Sequence, residues 1–246
     1  MKPIVMALLL VPSLSMAAHP LVSDDRGTQG ANKWQYELNT DHALYEQGGT
    51  RRTVDFVNTT LTYGLGDTVD IAANIPYSRT SSAGLPVSSG IDDASLILKW
   101  RFYEKDGVSL ALKPQINFAT GNEEKGLGNG KTGAGLNGLL TLTSGQWTLL
   151  GNLGATLNRN DIDDRSGLWN ISLAVLYSVS GEWKIILDNG VYRNPDRSSN
   201  TNPAFTTLGV IWSPSQKLDV DFGYKVGLNS FEVKHSVGVG LTMHFE

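Results

Sequence analysis

Apolar and polar residues alternate along most of the chain, most clearly at its C-terminal end. Between Lys234 and Phe245 an apolar side chain stands at every second position, with small or polar residues between. A period of two is typical of a β-strand with one apolar face. The same pattern predicts twelve strands: 33–41, 53–64, 68–78, 92–103, 108–119, 132–143, 147–158, 168–178, 183–193, 204–212, 217–226 and 234–245.

The apolar faces of these strands need a covering layer. The sequence shows no helical pattern long enough to supply one, so we interpret the faces as turned toward lipid. A closed barrel then satisfies every backbone hydrogen bond inside the membrane. We therefore predict an all-β fold, a transmembrane antiparallel β-barrel of about twelve strands within residues 33–246. The alternative is a soluble β-sandwich, which would place its aromatic residues in mid-strand as often as near turns.

Connections between the predicted strands alternate in length. Tight turns lie near residues 65, 105, 145, 181 and 214, whereas 42–52, 79–91, 120–131, 159–167 and 195–203 are longer and polar, with a short link at 227–230. This indicates short periplasmic turns and longer extracellular loops. Aromatic residues concentrate near the tight turns, where they predict an interfacial girdle: Tyr63, Trp100, Phe102, Trp147, Tyr177, Trp183, Trp212 and Phe245.

Residues 1–17 have the features of a cleaved export signal. Lys2 supplies a positive charge, an apolar run follows, and Ser15-Met16-Ala17 is a small-x-small cleavage site. We predict cleavage after Ala17, with Ala18 as second choice, and export to the outer membrane of a Gram-negative bacterium. An uncleaved membrane helix would need a longer apolar run. The chain has no cysteine and a net charge of −4, and it shows no Lys/Arg cluster, so we expect no nucleic-acid partner.

The residues that precede the first strand carry a family resemblance. They read His19-Pro20-Leu21-Val22-x-Asp24-Asp25-x-Gly27-Thr28-Gln29-Gly30, followed by Trp34, Gln35, Glu37 and Asn39. This stretch resembles the bacterial outer-membrane proteins grouped as the "meta-pathway of phenol degradation" family, often described as transporters. The resemblance implies a small outer-membrane barrel that passes aromatic or other apolar solutes. It supplies no catalytic residues.

If apolar residues face lipid, the alternate positions line the lumen. The charged residues among them are Glu37, Asp70, Asp93, Lys99, Arg101, Lys113, Lys184, Asp188, Asp219, Asp221 and Lys225. Basic residues group on the predicted fourth and fifth strands, and acidic residues on the eleventh. One interpretation is a transverse field that orients a dipolar solute. The other is that these charges pair across the wall and fill the lumen, since buried charges are normally paired.

Residues 18–32 are polar and lack either periodicity. They form either a disordered lead-in on the periplasmic side or a plug that folds into the lumen, in which Asp24, Asp25 and Arg26 would pair with luminal charges.

Three functions remain open at this point. The first is passive uptake of a small solute, with outer-membrane lipid and the barrel-assembly machinery as partners. The assembly machinery is implied because Phe245 resembles the terminal aromatic signal of exported barrels. The second is a filled barrel with a structural or surface-binding role. The third is a hydrolase, but adjacent His235 and Ser236 point to opposite faces of a strand. The sequence predicts no cofactor, no metal site and no enzyme activity.

Overall fold

The strands follow one another along the chain with little other structure. A computed structural model describes residues 19–47 and 49–246, so the predicted signal at 1–17 lies outside the described residues. The described strands are β1 (Trp34–Gln47), β2 (Thr50–Gly66), β3 (Val69–Ser82), β4 (Ser88–Ile91), β5 (Ser95–Lys105), β6 (Val108–Asn117), β7 (Gly133–Ser144), β8 (Trp147–Leu157), β9 (Gly167–Ser178), β10 (Trp183–Tyr192), β11 (Ala204–Ser215), β12 (Leu218–Gly227) and β13 (His235–Phe245). One short 3₁₀ helix, Glu123–Lys125, lies between β6 and β7. Among all the residues that the structure describes, no helix is long and apolar enough to cross a membrane.

Twelve of these strands close into an antiparallel barrel. Each pairs with the next in sequence, except that β3 pairs with β5 and the short β4 lies against β3 alone. The circuit closes between β1 and β13, where Trp34 is opposite Phe245 and Leu44 is opposite His235. Closure leaves no unpaired strand edge in the wall, as a lipid environment requires. The predicted twelve-stranded antiparallel barrel is confirmed.

The wall has an apolar outside. Leu96, Leu173 and Val239 are 41%, 51% and 46% exposed on three different strands, although all three lie in mid-strand. Residues at the alternate positions point inward and are buried, and many of them are polar, such as Asn74 and Ser172. Apolar residues that stay exposed around a closed barrel are in contact with lipid, which is the arrangement of transmembrane barrels.

Aromatic pairs mark the end of the barrel that carries the tight turns. Trp147 and Tyr177 lie on β8 and β9 with ring centroids 4.6 Å apart, and Trp183 and Trp212 stack at 5.8 Å on β10 and β11. These rings are partly exposed and face outward. Indole and phenol rings favour the boundary between hydrocarbon and headgroups, so this ring of aromatics fixes the level of the inner interface.

Two predicted loops are wrong in part, because strands occupy much of both. Residues 42–52 were expected to form a long connection, but β1 runs to Gln47 and β2 begins at Thr50. Similarly, β3 continues to Ser82 and β4 uses 88–91 within the expected loop 79–91. The alternation of polarity fades where a strand leaves the hydrocarbon layer, because both faces then tolerate polar side chains. The backbone ladder nevertheless continues.

The extracellular connections hydrogen-bond to one another. Arg165, in the β8–β9 loop, donates to the carbonyl oxygens of Asn194 at 3.1 Å and Ser199 at 2.8 Å in the β10–β11 loop. Arg197 donates in return to the carbonyl oxygen of Asp164 at 2.9 Å. The two loops therefore form one structure above this side of the barrel.

Candidate functional site

The residues that precede β1 lie inside the barrel. We call residues 19–33 the luminal segment. It starts against β12 and β1 near the middle of the lumen and crosses to β5 and β6. It then descends to the periplasmic rim, where the amide of Asn32 donates to the carbonyl oxygen of Gly64 at 2.9 Å. Since every step of this path contacts inward-facing groups of the wall, the segment occupies the space through which a solute would pass.

His19 begins the path between two carboxylates. Its imidazole bonds through Nδ1 to the Asp221 carboxylate, and its Nε2 lies 3.5 Å from Asp41 Oδ2. Asp221 is on β12 and Asp41 on β1, so the ring links two sides of the wall. Flanking carboxylates favour the imidazolium form, which would place a cation at this point.

Pro20 lies against glycines of the wall. A Cβ atom built on Gly223 would stand 2.3 Å from Pro20 Cβ, and one on Gly209 would stand 2.7 Å from Pro20 Cγ. Real Cβ atoms do not approach so closely, so larger residues at these positions would displace the segment. The two glycines of β11 and β12 therefore leave the space that Pro20 occupies against the wall.

Leu21 packs on an apolar patch inside the lumen. Its partners are Leu150, Ala174, Ile186 and Ile211, which lie on the four successive strands β8 to β11. Barrel interiors of this class are normally polar, so an inward apolar patch is unusual. Leu21 buries most of its surface there.

Ser23 and its neighbour Val22 are bound by one buried carboxylate. The amides of Val22 and Ser23 donate to Asp188 Oδ2 at 2.6 and 2.8 Å, and Ser23 Oγ donates to Asp188 Oδ1 at 2.7 Å. Ser23 Oγ also lies 2.8 Å from Ser172 Oγ. These bonds satisfy Asp188, which would otherwise be a buried carboxylate without donors.

Asp24 holds the far side of the segment. It accepts from Lys113 Nζ at 2.6 Å and from Lys99 Nζ at 2.9 Å. The Asp24 and Lys113 side chains are both 3% exposed. With its amide group oriented to suit both neighbours, Asn152 accepts from the Asp24 amide at 2.7 Å and donates to the Asp24 carbonyl at 3.0 Å. Both the backbone and the side chain of Asp24 are thereby bound to the wall.

The rest of the segment leads toward the periplasm. Asp25 is half-exposed and lies 3.9 Å from Lys99 Nζ, while Arg26 forms an ion pair with Glu104 near the rim. The amide of Gln29 donates to Asp70 Oδ2 at 3.0 Å. Thr28 Oγ1 donates to the carbonyl oxygen of Asp67, in the β2–β3 turn, at 2.8 Å.

The luminal segment thus bridges two sides of opposite charge. Lys99 and Lys113 make the β5–β6 side basic, and Asp41 and Asp221 make the β12–β1 side acidic. The segment presents Asp24 to the first side and the imidazole of His19 to the second. These four charges are therefore paired through the segment rather than with each other.

The predicted luminal residues lie in several settings. Asp70, Lys99, Lys113, Asp188 and Asp221 contact the segment. Three of the others form ion pairs outside the segment: Arg101 with Glu104 at 2.8 Å, Asp219 with His244 at 3.1 Å, and Lys225 with Glu232 at 3.1 Å. Lys184 lies half-buried on β10. Asp93 lies just before β5 rather than within a strand, and it accepts from the amides of Gly121 and Asn129 in the β6–β7 loop.

Sequence reasoning missed several residues of this site. His19, Leu21 and Ser23 were read only as part of the opening stretch, and Asp41 was the last residue of the first predicted strand, with no luminal role assigned. The spacing His19-x-Leu21-x-Ser23-Asp24 was the available signal. Successive side chains of an extended chain point to opposite sides, so neighbours such as Ser23 and Asp24 could have suggested a segment that contacts more than one part of a surrounding wall.

The alternative chemistries find no support in the geometry. His235 faces outward and stacks on Tyr224 at 6.3 Å, whereas Ser236 faces inward, 3.5 Å from Asp41 Oδ1. The two side chains therefore cannot act as a catalytic pair. Among the residues that the structure describes, no group of three or more His, Cys, Asp or Glu side chains is placed to hold a metal ion.

The closed wall, its apolar outside and the internal segment define an outer-membrane β-barrel with an occupied lumen. Residues 20–245 match the family model described as "Putative MetA-pathway of phenol degradation", and the chain belongs to that family. The resemblance in the opening motif is thereby confirmed. No curated protein matches the chain.

Solved structures of outer-membrane proteins share this fold. An outer membrane channel from Pseudomonas putida F1 aligns with a TM-score of 0.73 at 15% identity, covering 90% of this chain and 98% of that one. The translocator domain of the autotransporter NalP from Neisseria meningitidis aligns with a TM-score of 0.52 at 15% identity, covering 89% of each chain. The KdgM porin aligns with a TM-score of 0.56 at 4% identity, covering 86% of this chain and 99% of that one. At such low sequence identities, these similarities show a shared fold only.

Proposed function

We propose that the protein is an outer-membrane channel for passive uptake of small apolar or aromatic solutes, and that its luminal segment keeps it closed. The observation that carries this proposal is the origin of the obstruction. The lumen is filled by residues 19–33, which precede the barrel strands, and not by side chains of opposite walls. Cleavage of the predicted signal would give this segment a free end, which could move out while the ladder of the wall stays intact.

The apolar patch under Leu21 supports the choice of solute. Leu150, Ala174, Ile186 and Ile211 would line the lumen if Leu21 left, and they offer an apolar solute a surface that a water-filled pore lacks. The family description points to phenol degradation, and another structure of this fold is a monoaromatic hydrocarbon channel, CymD, with a TM-score of 0.50. Both agree with a solute of this class.

The rival is a filled barrel whose loops bind a partner at the cell surface. The interlocked loops around Arg165 are compatible with that role. Their hydrogen bonds run between loops and strengthen the barrel mouth, however, which a channel also needs.

Deletion of residues 19–26 separates these functions, because Gly27 to Lys33 would still hold the start of β1 at the rim. Planar-bilayer conductance and liposome flux of a phenol should both rise in the deletion variant. Heat-modifiable mobility in detergent gels checks that the barrel folds. A folded variant with the conductance and flux of the wild type would contradict the channel function.

A further inference from the structure

A strip of charged side chains lies on the lipid-facing side of the barrel where the strands leave the membrane. It consists of His42, Glu46, Arg51, Asp55, Arg79 and Lys234, and we call it the outer rim strip. It spans β1, β2, β3 and the residue before β13. Neighbouring outward positions at lower levels of these strands are apolar, for example Leu38, Leu61 and Ile75.

The lower row of the strip is a chain of three cross-strand neighbours. Asp55 is opposite His42 on one side and opposite Arg79 on the other. The His42 Nδ1 atom lies 2.6 Å from Asp55 Oδ1, and the Arg79 guanidinium donates to Asp55 Oδ2 at 3.4 Å. Each of these side chains remains substantially exposed, so their outer atoms are free to meet other groups.

The upper row repeats the arrangement with other residues. Glu46 is opposite Arg51 in the β1–β2 ladder, and Lys234 Nζ lies 2.5 Å from Glu46 Oε2. The strip as a whole therefore has three permanent cations and one imidazole against two carboxylates. An excess of positive charge faces the lipid side at this rim.

The height of the strip places it at the outer leaflet. A strand tilted by 35–45° rises about 2.5 Å per residue along the membrane normal. The ring of Trp34 lies 4.5 Å from that of Tyr63, so Trp34 is at the level of the aromatic girdle. His42 and Glu46 follow Trp34 by eight and twelve residues, which puts the two rows about 20 and 30 Å above the inner interface. The apolar belt of such barrels is about 25 Å tall, so the rows bracket its upper edge.

We propose that the outer rim strip binds the phosphate groups of lipopolysaccharide, the phosphorylated glycolipid of the outer leaflet. Arg51 and Arg79 present guanidinium groups that suit bidentate contact with phosphate oxygens. Asp55 and Glu46 hold the cations in a row along the wall, at the depth where glycolipid phosphates lie. Binding at this surface does not depend on whether the lumen conducts.

Native mass spectrometry of the purified full-length barrel tests the strip with defined lipids. The R51Q/R79Q variant should bind diphosphorylated lipid A about tenfold more weakly than the wild type, the order expected when charge-assisted contacts are lost. The matched control is K105Q/K217Q, which also removes two exposed cations, but at the periplasmic turns. This control should bind as the wild type does.

Two further arms identify the source of the phosphate. Dephosphorylated lipid A should bind the wild type as weakly as lipid A binds R51Q/R79Q, and inorganic phosphate at equal concentration should not compete. The proposal is overturned if R51Q/R79Q keeps wild-type affinity, if both double variants lose affinity equally, or if free phosphate displaces the lipid. Heat-modifiable mobility of each variant confirms that affinity is compared between folded barrels.

Discussion

Asp24 and Lys113 form a buried ion pair 2.6 Å long between the luminal segment and the wall. The two residues are 89 positions apart in the sequence, and their contact would be broken if the segment left the lumen. Lys99 joins the pair at 2.9 Å from Asp24. The position of the segment in the lumen therefore depends on a small number of identifiable contacts, and each can be removed separately.

Replacing Asp24 by Asn should open the channel. Removal of one partner from a buried ion pair typically costs about 3–5 kcal/mol, and this change takes away the carboxylate that both Lys113 and Lys99 contact. We expect a clear increase in open probability in planar bilayers. The control is Asp25→Asn, whose side chain is 51% exposed and lies 3.9 Å from Lys99, and which should behave like the wild type. Equal conductance of the two variants would show that the ion pair does not hold the segment.

Leu21→Ala tests the apolar part of the closure. The substitution leaves a void above Leu150 and Ile186, and truncation of a buried leucine typically costs about 2–5 kcal/mol. The segment should dock less tightly, and flux of a small phenol into liposomes should rise. Val22→Ala is the control, because Val22 lies outside the buried cluster. A similar flux for both variants would contradict a closing role of this contact.

Gly223→Ala changes the wall without altering the segment. The new Cβ would stand 2.3 Å from Pro20 Cβ, so Pro20 must move away from β12. We expect higher conductance with unchanged barrel folding. In Gly151→Ala the new Cβ would make ordinary contacts at 3.8 Å with Leu140, so this control should leave conductance unchanged. An increase in both variants would indicate a general loosening of the wall instead.

The interlocked extracellular loops should respond to pH through Asp164. Burial, with the nearby Asp196 carboxylate, raises the pKa of Asp164 to about 6. A raised carboxyl pKa means that the folded loop favours the protonated form. Its contribution to loop stability is therefore full below the ordinary pKa and is lost as pH rises through about 6. Hydrogen exchange of the Arg165 amide, which donates to the Pro195 carbonyl oxygen, should accelerate over this range beyond the intrinsic effect of pH. Asp164→Asn should remove the extra acceleration.

The sequence predicted the wall well because one physical constraint governs it. Leu96, Leu173 and Val239 must face lipid, and the intervening side chains then face the lumen, so a period of two is sufficient evidence. The prediction failed at residues 42–52, where the outward side chains include the polar His42 and the charged Glu46 and Arg51. Those strands continue above the hydrocarbon layer, where hydropathy no longer reports the direction of a side chain.

The contents of the lumen were harder to predict. Asp24 was recognised as a residue that could pair with luminal charges, but nothing local identifies Lys99 and Lys113 as its partners. Whether Asp24 contacts these two lysines depends on the diameter of the barrel and on the height of each strand in the wall. The cluster of Leu21 with Ile186 was not foreseen either, because an inward apolar residue breaks the alternation used to assign the faces.

A reversible covalent tether tests the central claim most directly. The chain has no cysteine, and Ser23 Oγ lies 2.8 Å from Ser172 Oγ, so the S23C/S172C variant should form a disulfide that fixes the segment to β9. We expect low phenol flux and low conductance in the oxidised protein, and recovery to at least the wild-type level after reduction, with S23C alone insensitive to the reductant. Equal flux in the oxidised and reduced double variant, with the disulfide verified by mass spectrometry, would contradict the closure of this barrel by its luminal segment.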